Sequence, residues 1–480
     1  MTAPAPSNPV TTDPIGWYNA ALGAIQQENE RAIEFFRSGR TVRTVVAFLS
    51  NPPTSTADTI FDGVIPELRG IALWQRKLNQ DANADLHQIP LLVDVRGTGP
   101  AFRDAEQKAQ ELVEKIQSWT PYPDNNEDYK QVIGVLGYAQ SRDETKKALK
   151  ILDKAGILTI STSATADEML GESTYWPAAP LNSRQAAIAA NFATSERTIA
   201  QSSDSSRCVK AERALIIEDH EDLYSKSLAT QFEINFKGQK RKINFTQKNP
   251  SPGDPPPGTL TYTDATELAD RICQEISAQP TTIVYWTSRA QDFIAFATSF
   301  DTQGTCTTRS VTVLGGDDLA SGVQAGVFNK NRWLRLYYSA HRLPAADARI
   351  SCATKSFIEK YNTFVKDTTK GEDPWINNGT SAVAYDAFHA LSRVADITYG
   401  SNERADVKTM KYSLPTGGIN FNGATGYINY AAGVNQPPVD KTLILVYQTG
   451  KNQVTVAACG AYRQDTNSTV QANPCRDAPG

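Results

Sequence analysis

The chain has 480 residues, of which 40% are apolar and 21% charged, with a formal net charge of −4. That length holds roughly two to four domains, and nothing in the near-neutral balance argues for a surface built for nucleic acid or an anionic membrane. No apolar run approaches the ~18 residues of a membrane-spanning helix, and no basic-then-apolar leader opens the chain.

Residues 1–14, MTAPAPSNPVTTDP, read as a Pro/Ser/Thr linker, the kind of spacer that follows an anchor or a removed signal. Residues 15–38 predict an amphipathic helix, charged at QQENERA. Next come strand TVRTVVAFL, helix IPELRGIALWQRKLN, strand IPLLVDV and helix AFRDAEQKAQELVEKIQSW, then strand QVIGVLG, helix RDETKKALKILDKA and strand ILTIS. Short continuous apolar strands with helices between them predict α/β architecture, a doubly wound parallel sheet covered on both faces. After YWPAAPLN a helix runs from Ser183 towards Ala200, and the pattern restarts with strands RALIIE, KINFT, TTIVYWT, SVTVLGG and WLRLYYS. The basic run KGQKRK, residues 237–242, is expected to be a solvated turn ahead of an edge strand, and NPSPGDPPPG, residues 249–258, a surface loop. The chain then turns helical at TKSFIEKYNTFVKD and TSAVAYDAFHALSRVADI, and ends in turn-rich β structure.

Six cysteines, Cys208, Cys273, Cys306, Cys352, Cys459 and Cys475, are widely spaced and form no CxxC. Their even number fits disulfides in an oxidising compartment, with Cys459 to Cys475 the first pairing expected; buried free thiols are the alternative. Histidines 87, 220, 341 and 389 are scattered, so no zinc cluster is expected.

Two polar turns follow consecutive predicted strands. VIGVLG leads to Ser141-Arg142-Asp143-Glu144, and ILTIS leads through Ser163 to Thr165-Ala166-Asp167-Glu168. Both have the S/T-x-x-E form of a capping box, which by itself is only a good helix start. At the carboxyl ends of neighbouring parallel strands, though, two helix N-termini would converge on one crevice and suit a carboxylate. No phosphate loop, GxSxG elbow or HExxH is present, so no catalytic residue is expected. The acidic pair Asp317-Asp318 reads as a strand-end ligand contact rather than a catalytic dyad.

Five segments in order carry a family likeness. The segment from Gly134 to Leu170, with LRGIALWQRKLN, YWPAAPLNSRQAAIAANFA, TSAVAYDAFHAL and INFNGATGYINYAAG, resembles the type I periplasmic solute-binding proteins, the Leu/Ile/Val-binding receptors of ABC importers. The likeness covers roughly residues 40–455. It implies two doubly wound lobes joined by a three-crossover hinge: 40–181 with 353–414 as lobe I, and 182–352 with 415–480 as lobe II. The extra helix at 15–38 is similar to those ahead of such domains in actinobacterial surface proteins.

The resemblance also implies an extracytoplasmic, cell-surface-anchored or secreted binding protein, not an enzyme. It would close on an amino acid or related carboxylate for an ABC transporter permease, without cofactor, as a monomer or else a dimer. A ligand-sensing ectodomain with a fused membrane segment is the alternative. Carried over residue by residue, the ligand carboxylate would meet Ser141, Ser163 and Thr165, and its ammonium Asp317 or Asp318. Tyr224, Tyr385, Tyr138 and Arg289 would line the cleft. Arg142 stands where a second small hydroxyl is common, and Ser225 where glycine is usual.

Overall fold

The computed structural model describes residues 14–51, 63–119, 127–195, 198–200, 208–246, 260–302, 310–324, 326–345, 347, 349–368, 375, 377, 379–402, 404–413, 419–430, 441–449 and 452–459. Residues 1–13 and the predicted loop at 249–258 lie outside them.

The first half alternates as its apolar spacing demands: α1 (Pro14–Arg37), β1 (Arg43–Leu49), α2 (Val64–Ala82), β2 (Leu91–Gly97), α3 (Ala105–Gln117), β3 (Val132–Gly137), α4 (Asp143–Lys154), β4 (Thr159–Ser161) and β5 (Tyr175–Pro177). The five strands form one parallel sheet in the order β2-β1-β3-β4-β5. Val45 to Phe48 and Val132 to Leu136 are buried without alternation, as strands covered on both faces must be.

The chain then enters a second layered unit: α5 (Asn182–Ser195), the short pair β6 (Ile199–Ala200) and β7 (Cys208–Val209), β8 (Arg213–Glu218), α6 (Leu223–Asn235), β9 (Gln239–Phe245), β10 (Leu260–Tyr262), α7 (Ala265–Ala278), β11 (Thr282–Trp286), α8 (Ala290–Phe300), β12 (Val311–Gly315), α9 (Leu319–Gln324) and β13 (Leu334–Ala340). It returns with α10 (Cys352–Thr368), α11 (Thr380–Asn402), α12 (Val407–Ser413) and a hairpin of β14 (Asn420–Gly423) and β15 (Gly426–Asn429). It ends on β16 (Leu443–Thr449) and β17 (Asn452–Cys459). The second sheet has the order β10-β9-β8-β11-β12-β13-β16-β17, parallel up to β13 and antiparallel beyond it. The chain thus passes between the sheets after Pro177, after Ala340 and again before Leu443.

Helix α11 closes the first lobe by lying on α2. Gly70 permits the approach, since a Cβ there would stand 2.2 Å from the Ser381 carbonyl oxygen. Trp74 stacks on His389 at 3.7 Å and meets Tyr385 edge-on at 5.0 Å. Helix α1 buries Trp17, Ala21, Ala24, Ile25 and Ala32, an i, i+4, i+7, i+8 stripe, against α2 and the β2 edge. Its Asn29 acts as a surrogate strand: Nδ2 donates to Val93 O at 3.0 Å and Oδ1 accepts from Val93 N at 2.8 Å.

Four expectations need correction. Neither capping box forms: α4 starts at Asp143 after an uncapped Arg142, and the second turn holds only a 3-10 turn, Asp167–Met169. The basic run enters strand β9, which β10 covers, and Arg241 and Lys242 pair with Glu275 and Glu218 because the strand brings them beside buried carboxylates. The hairpin, placed by sequence in lobe II, sits on the first lobe, because buried Asp386 of α11 accepts from Ala424 N at 2.7 Å and Thr425 N at 2.9 Å. Cys459, half-buried at the end of β17, and Cys352 are free thiols, so Cys459 does not pair with Cys475, which lies outside the described residues, as does Cys306. Cys273 is disulfide-bonded.

Candidate functional site

The carboxyl ends of β3 and β4 face those of β8, β11, β12 and β13 across a crevice, and residues from both sets line one cavity of about 60 Å³. On the first side the chain leaves β3 through Gly137 at φ 110° and Tyr138 at φ 55°. A Cβ on Gly137 would lie 2.1 Å from the Phe48 carbonyl oxygen, so that position needs glycine twice over. This left-handed pair turns the Tyr138 ring inward, 5.4 Å from Phe48 and 6.1 Å from Phe102. Tyr138 is therefore a core residue and does not reach the crevice.

The next residues stitch the two turns together. Ser141 is buried, and its Oγ accepts from Thr165 N at 3.0 Å and Ala166 N at 2.9 Å. Ser163 Oγ donates to Ala139 O at 3.2 Å. Ser141 thus caps the neighbouring turn instead of its own helix, and its own proton remains available to an acceptor in the cavity. Thr165 lies behind it, buried, with an unpartnered Oγ1, and does not line the cavity.

On the second side, Asp317 holds three side chains. It accepts from Tyr224 Oη at 2.8 Å, Gln185 Nε2 at 3.0 Å and, across its other oxygen, meets His341 Nε2 at 3.0 Å. Burial pushes its pKa up, but the His341, Gln185 and Tyr224 contacts outweigh burial and hold it below the usual carboxylate range. Gly316 makes the arrangement possible, because a Cβ there would stand 2.1 Å from the Tyr224 hydroxyl. Asp318 is less well compensated: burial raises its pKa despite Arg289 Nη1 at 3.4 Å and the Ala290 N–H at 2.6 Å.

Charge crosses between the sides through Asp222, the N-cap of α6. Its carboxylate takes Arg142 Nη1 at 2.6 Å from the first lobe, and Arg289 Nε and Nη2, each at 3.1 Å, from the second. The Arg289 guanidinium also lies over the Tyr224 ring at 4.6 Å. Burial would raise the Asp222 pKa, yet the two arginines reverse the sign and lower it. Arg142 is shifted down by its own burial and by Arg289. A second bond between the lobes runs from Asp167 N to Ser227 Oγ at 3.2 Å.

Ser141, Ser163, Tyr224, Arg289, Asp317 and Asp318 therefore share one cavity. Tyr385 does not: it is buried between Trp74 and Phe357, because α11 turns that face towards α2. The sequence reading missed Asp222, Gln185 and His341. The N-cap pattern D-x-x-S at Asp222 was a usable local signal, whereas Gln185 and His341 reach Asp317 only through tertiary contact. Among the described residues, no His/Cys/Asp/Glu group is placed to hold a metal ion, and no helix is long and apolar enough to cross a membrane.

No protein-family model and no curated protein sequence matches the chain. Solved structures do. The branched-chain amino acid transporter substrate binding protein LivJ of Streptococcus pneumoniae, in complex with isoleucine, aligns over 88% of this chain and 99% of its own, with TM-score 0.60 and 16% identity. The leucine binding protein LivK of Thermotoga maritima aligns over 87% and 99%, with TM-score 0.61 and 16% identity. A solute binding protein of an R. palustris ABC transporter, in complex with 4-hydroxybenzoate, aligns over 91% and 98%, with TM-score 0.60 and 14% identity. At such identities the likeness is one of fold.

Proposed function

We propose, from the premise that the chain has the two-lobed type I periplasmic-binding-protein fold, that it is an extracytoplasmic receptor which closes on a small polar solute and presents it to an ABC importer. The solute is an amino acid or a related carboxylate. The supporting observation is the ionic crossing itself: Arg142 from one lobe and Arg289 from the other share the carboxylate of Asp222, and of these Arg289 lines the cavity. A guanidinium, Arg289, across the cavity from the Ser141 and Ser163 hydroxyls suits an anionic head group. Asp317 fixes Tyr224, Gln185 and His341 and so acts as a strut, while Asp318, less well compensated in its burial, is the carboxylate that receives an ammonium.

The reading is of binding without chemistry. A cavity of about 60 Å³ is far below the roughly 300–1,000 Å³ of small-molecule sites, so the solute enters only when the lobes part and Arg142 releases Asp222. Contacts made on both sides then favour the closed state.

A thermal-shift panel of amino acids, short carboxylates and benzoates tests this reading. A true ligand at a hundred times its Kd adds about 2.7 kcal/mol of stability and raises the midpoint visibly. A well-folded sample that no member of the panel stabilises would defeat it.

A further inference from the structure

A cavity larger than the interlobe crevice lies beside the first sheet. At the other end of β3, next to Val132, lies a pocket of about 430 Å³, within the range of small-molecule sites. The two places are separated by the length of β3, roughly 25 Å between residues 131 and 139 at ~3.3 Å per residue. Helix α3 supplies one wall and the start of α12 the other.

The floor is apolar: Ile116 and Val407 pack on the cluster beneath the sheet, and Val132 is buried there. Trp119 completes the wall, with its indole N–H buried and unpartnered. A donor in that position lacks an acceptor that the protein does not provide. The rim carries Lys115, Lys130, Arg404 and Lys408. Three of these have acidic neighbours, Asp94 at 3.8 Å, Glu127 at 2.5 Å and Asp406 at 3.6 Å, but the cations themselves are 52%, 48% and 74% exposed. Such pairs are weak and exchange readily, and the balance of four cations against three anions still favours a negative guest. Lys115, in the last turn of α3, also offsets that helix's carbonyl end.

We propose that this pocket is a second binding site, for a small amphipathic organic anion: an aromatic or alkyl body on Ile116, Val132, Val407 and Trp119, with a carboxylate or sulfonate head at the lysine rim. It stands independently of the cleft and of the receptor reading.

Calorimetry with 1-naphthalenesulfonate as probe and 1-naphthylmethylammonium as its charge-reversed counterpart tests the site on the whole chain. The expected result is saturable one-site binding of the sulfonate, at least tenfold tighter than the ammonium. The exposed double substitution Lys115→Glu with Lys408→Glu weakens it at least tenfold, and Trp119→Phe, which keeps an aromatic side chain but removes the donor and part of the ring surface, by about fivefold. Arg142→Ala, in the cleft, leaves it unchanged. Equal or tighter binding of the ammonium, no loss in the double variant, or loss on Arg142→Ala would each overturn the proposal.

Discussion

Ser141 carries more of the fold than its size suggests. One buried oxygen satisfies the backbone N–H groups of Thr165 and Ala166, and so holds the second turn beside the first. Ser141→Ala leaves two buried donors without an acceptor, each worth about 1–3 kcal/mol when orphaned. The expected outcome is a urea midpoint lowered by a loss of on the order of 2 kcal/mol, with the slope m unchanged. Ser163→Ala, at a half-buried hydroxyl with one 3.2 Å bond, is expected to cost less than about 1 kcal/mol. The same measurement separates the two serines. A midpoint unchanged in Ser141→Ala would show that the turns hold each other by other means.

At the level of elements, two polar side chains decide how peripheral pieces attach. Asp386 fastens the β14–β15 hairpin to α11 through Ala424, Thr425 and the fully buried Lys441, whose nitrogen is 3.6 Å away. Burial lowers the Lys441 pKa to about 8, although Asp386 pulls it upward. Asp386→Ala strips that cation of its partner, and breaking a buried pair from one side costs about 3–5 kcal/mol. Chemical denaturation at pH 7 checks this; a loss below 1 kcal/mol would contradict the assignment. Asn29 plays the comparable part for α1 by pairing with the Val93 backbone at the sheet edge. Asn29→Ala is expected to speed hydrogen exchange at Val93 by roughly tenfold, the equivalent of about 1.4 kcal/mol, while amides in β3 stay protected. These attachments explain what was legible in the sequence. Continuous apolar strands and helical spacing marked out both sheets, since each element's burial is written in its own residues. The hairpin's lobe was not readable, because Asp386 selects it from 38 positions away. The first capping box misled for the same reason: Ser141 Oγ is used on another turn.

For the whole molecule the interlobe bond from Arg142 to Asp222 is the feature most open to test, and it was invisible in the sequence, where its ends are 80 positions apart. The Asp222 pKa is depressed in the folded state. Its contribution is therefore present above the unfolded value of about 4 and is lost as pH falls through the folded value. Arg142→Ala removes one of the two cations that offset burial, so the folded pKa rises and the loss begins at higher pH. Urea unfolding measured from pH 6 down to pH 2 is expected to show the variant weakening earlier, and small-angle scattering at pH 7 a larger radius of gyration. Superimposable pH profiles would mean that Arg289 alone sets the Asp222 charge.

The seating of α1 has a mechanical consequence. The helix lies along α2 and β2, so the chain ahead of Pro14 joins the molecule at the flank of a single lobe. Any tether pulling there would hold that half still and leave the other to swing like a jaw, without dragging on the hinge.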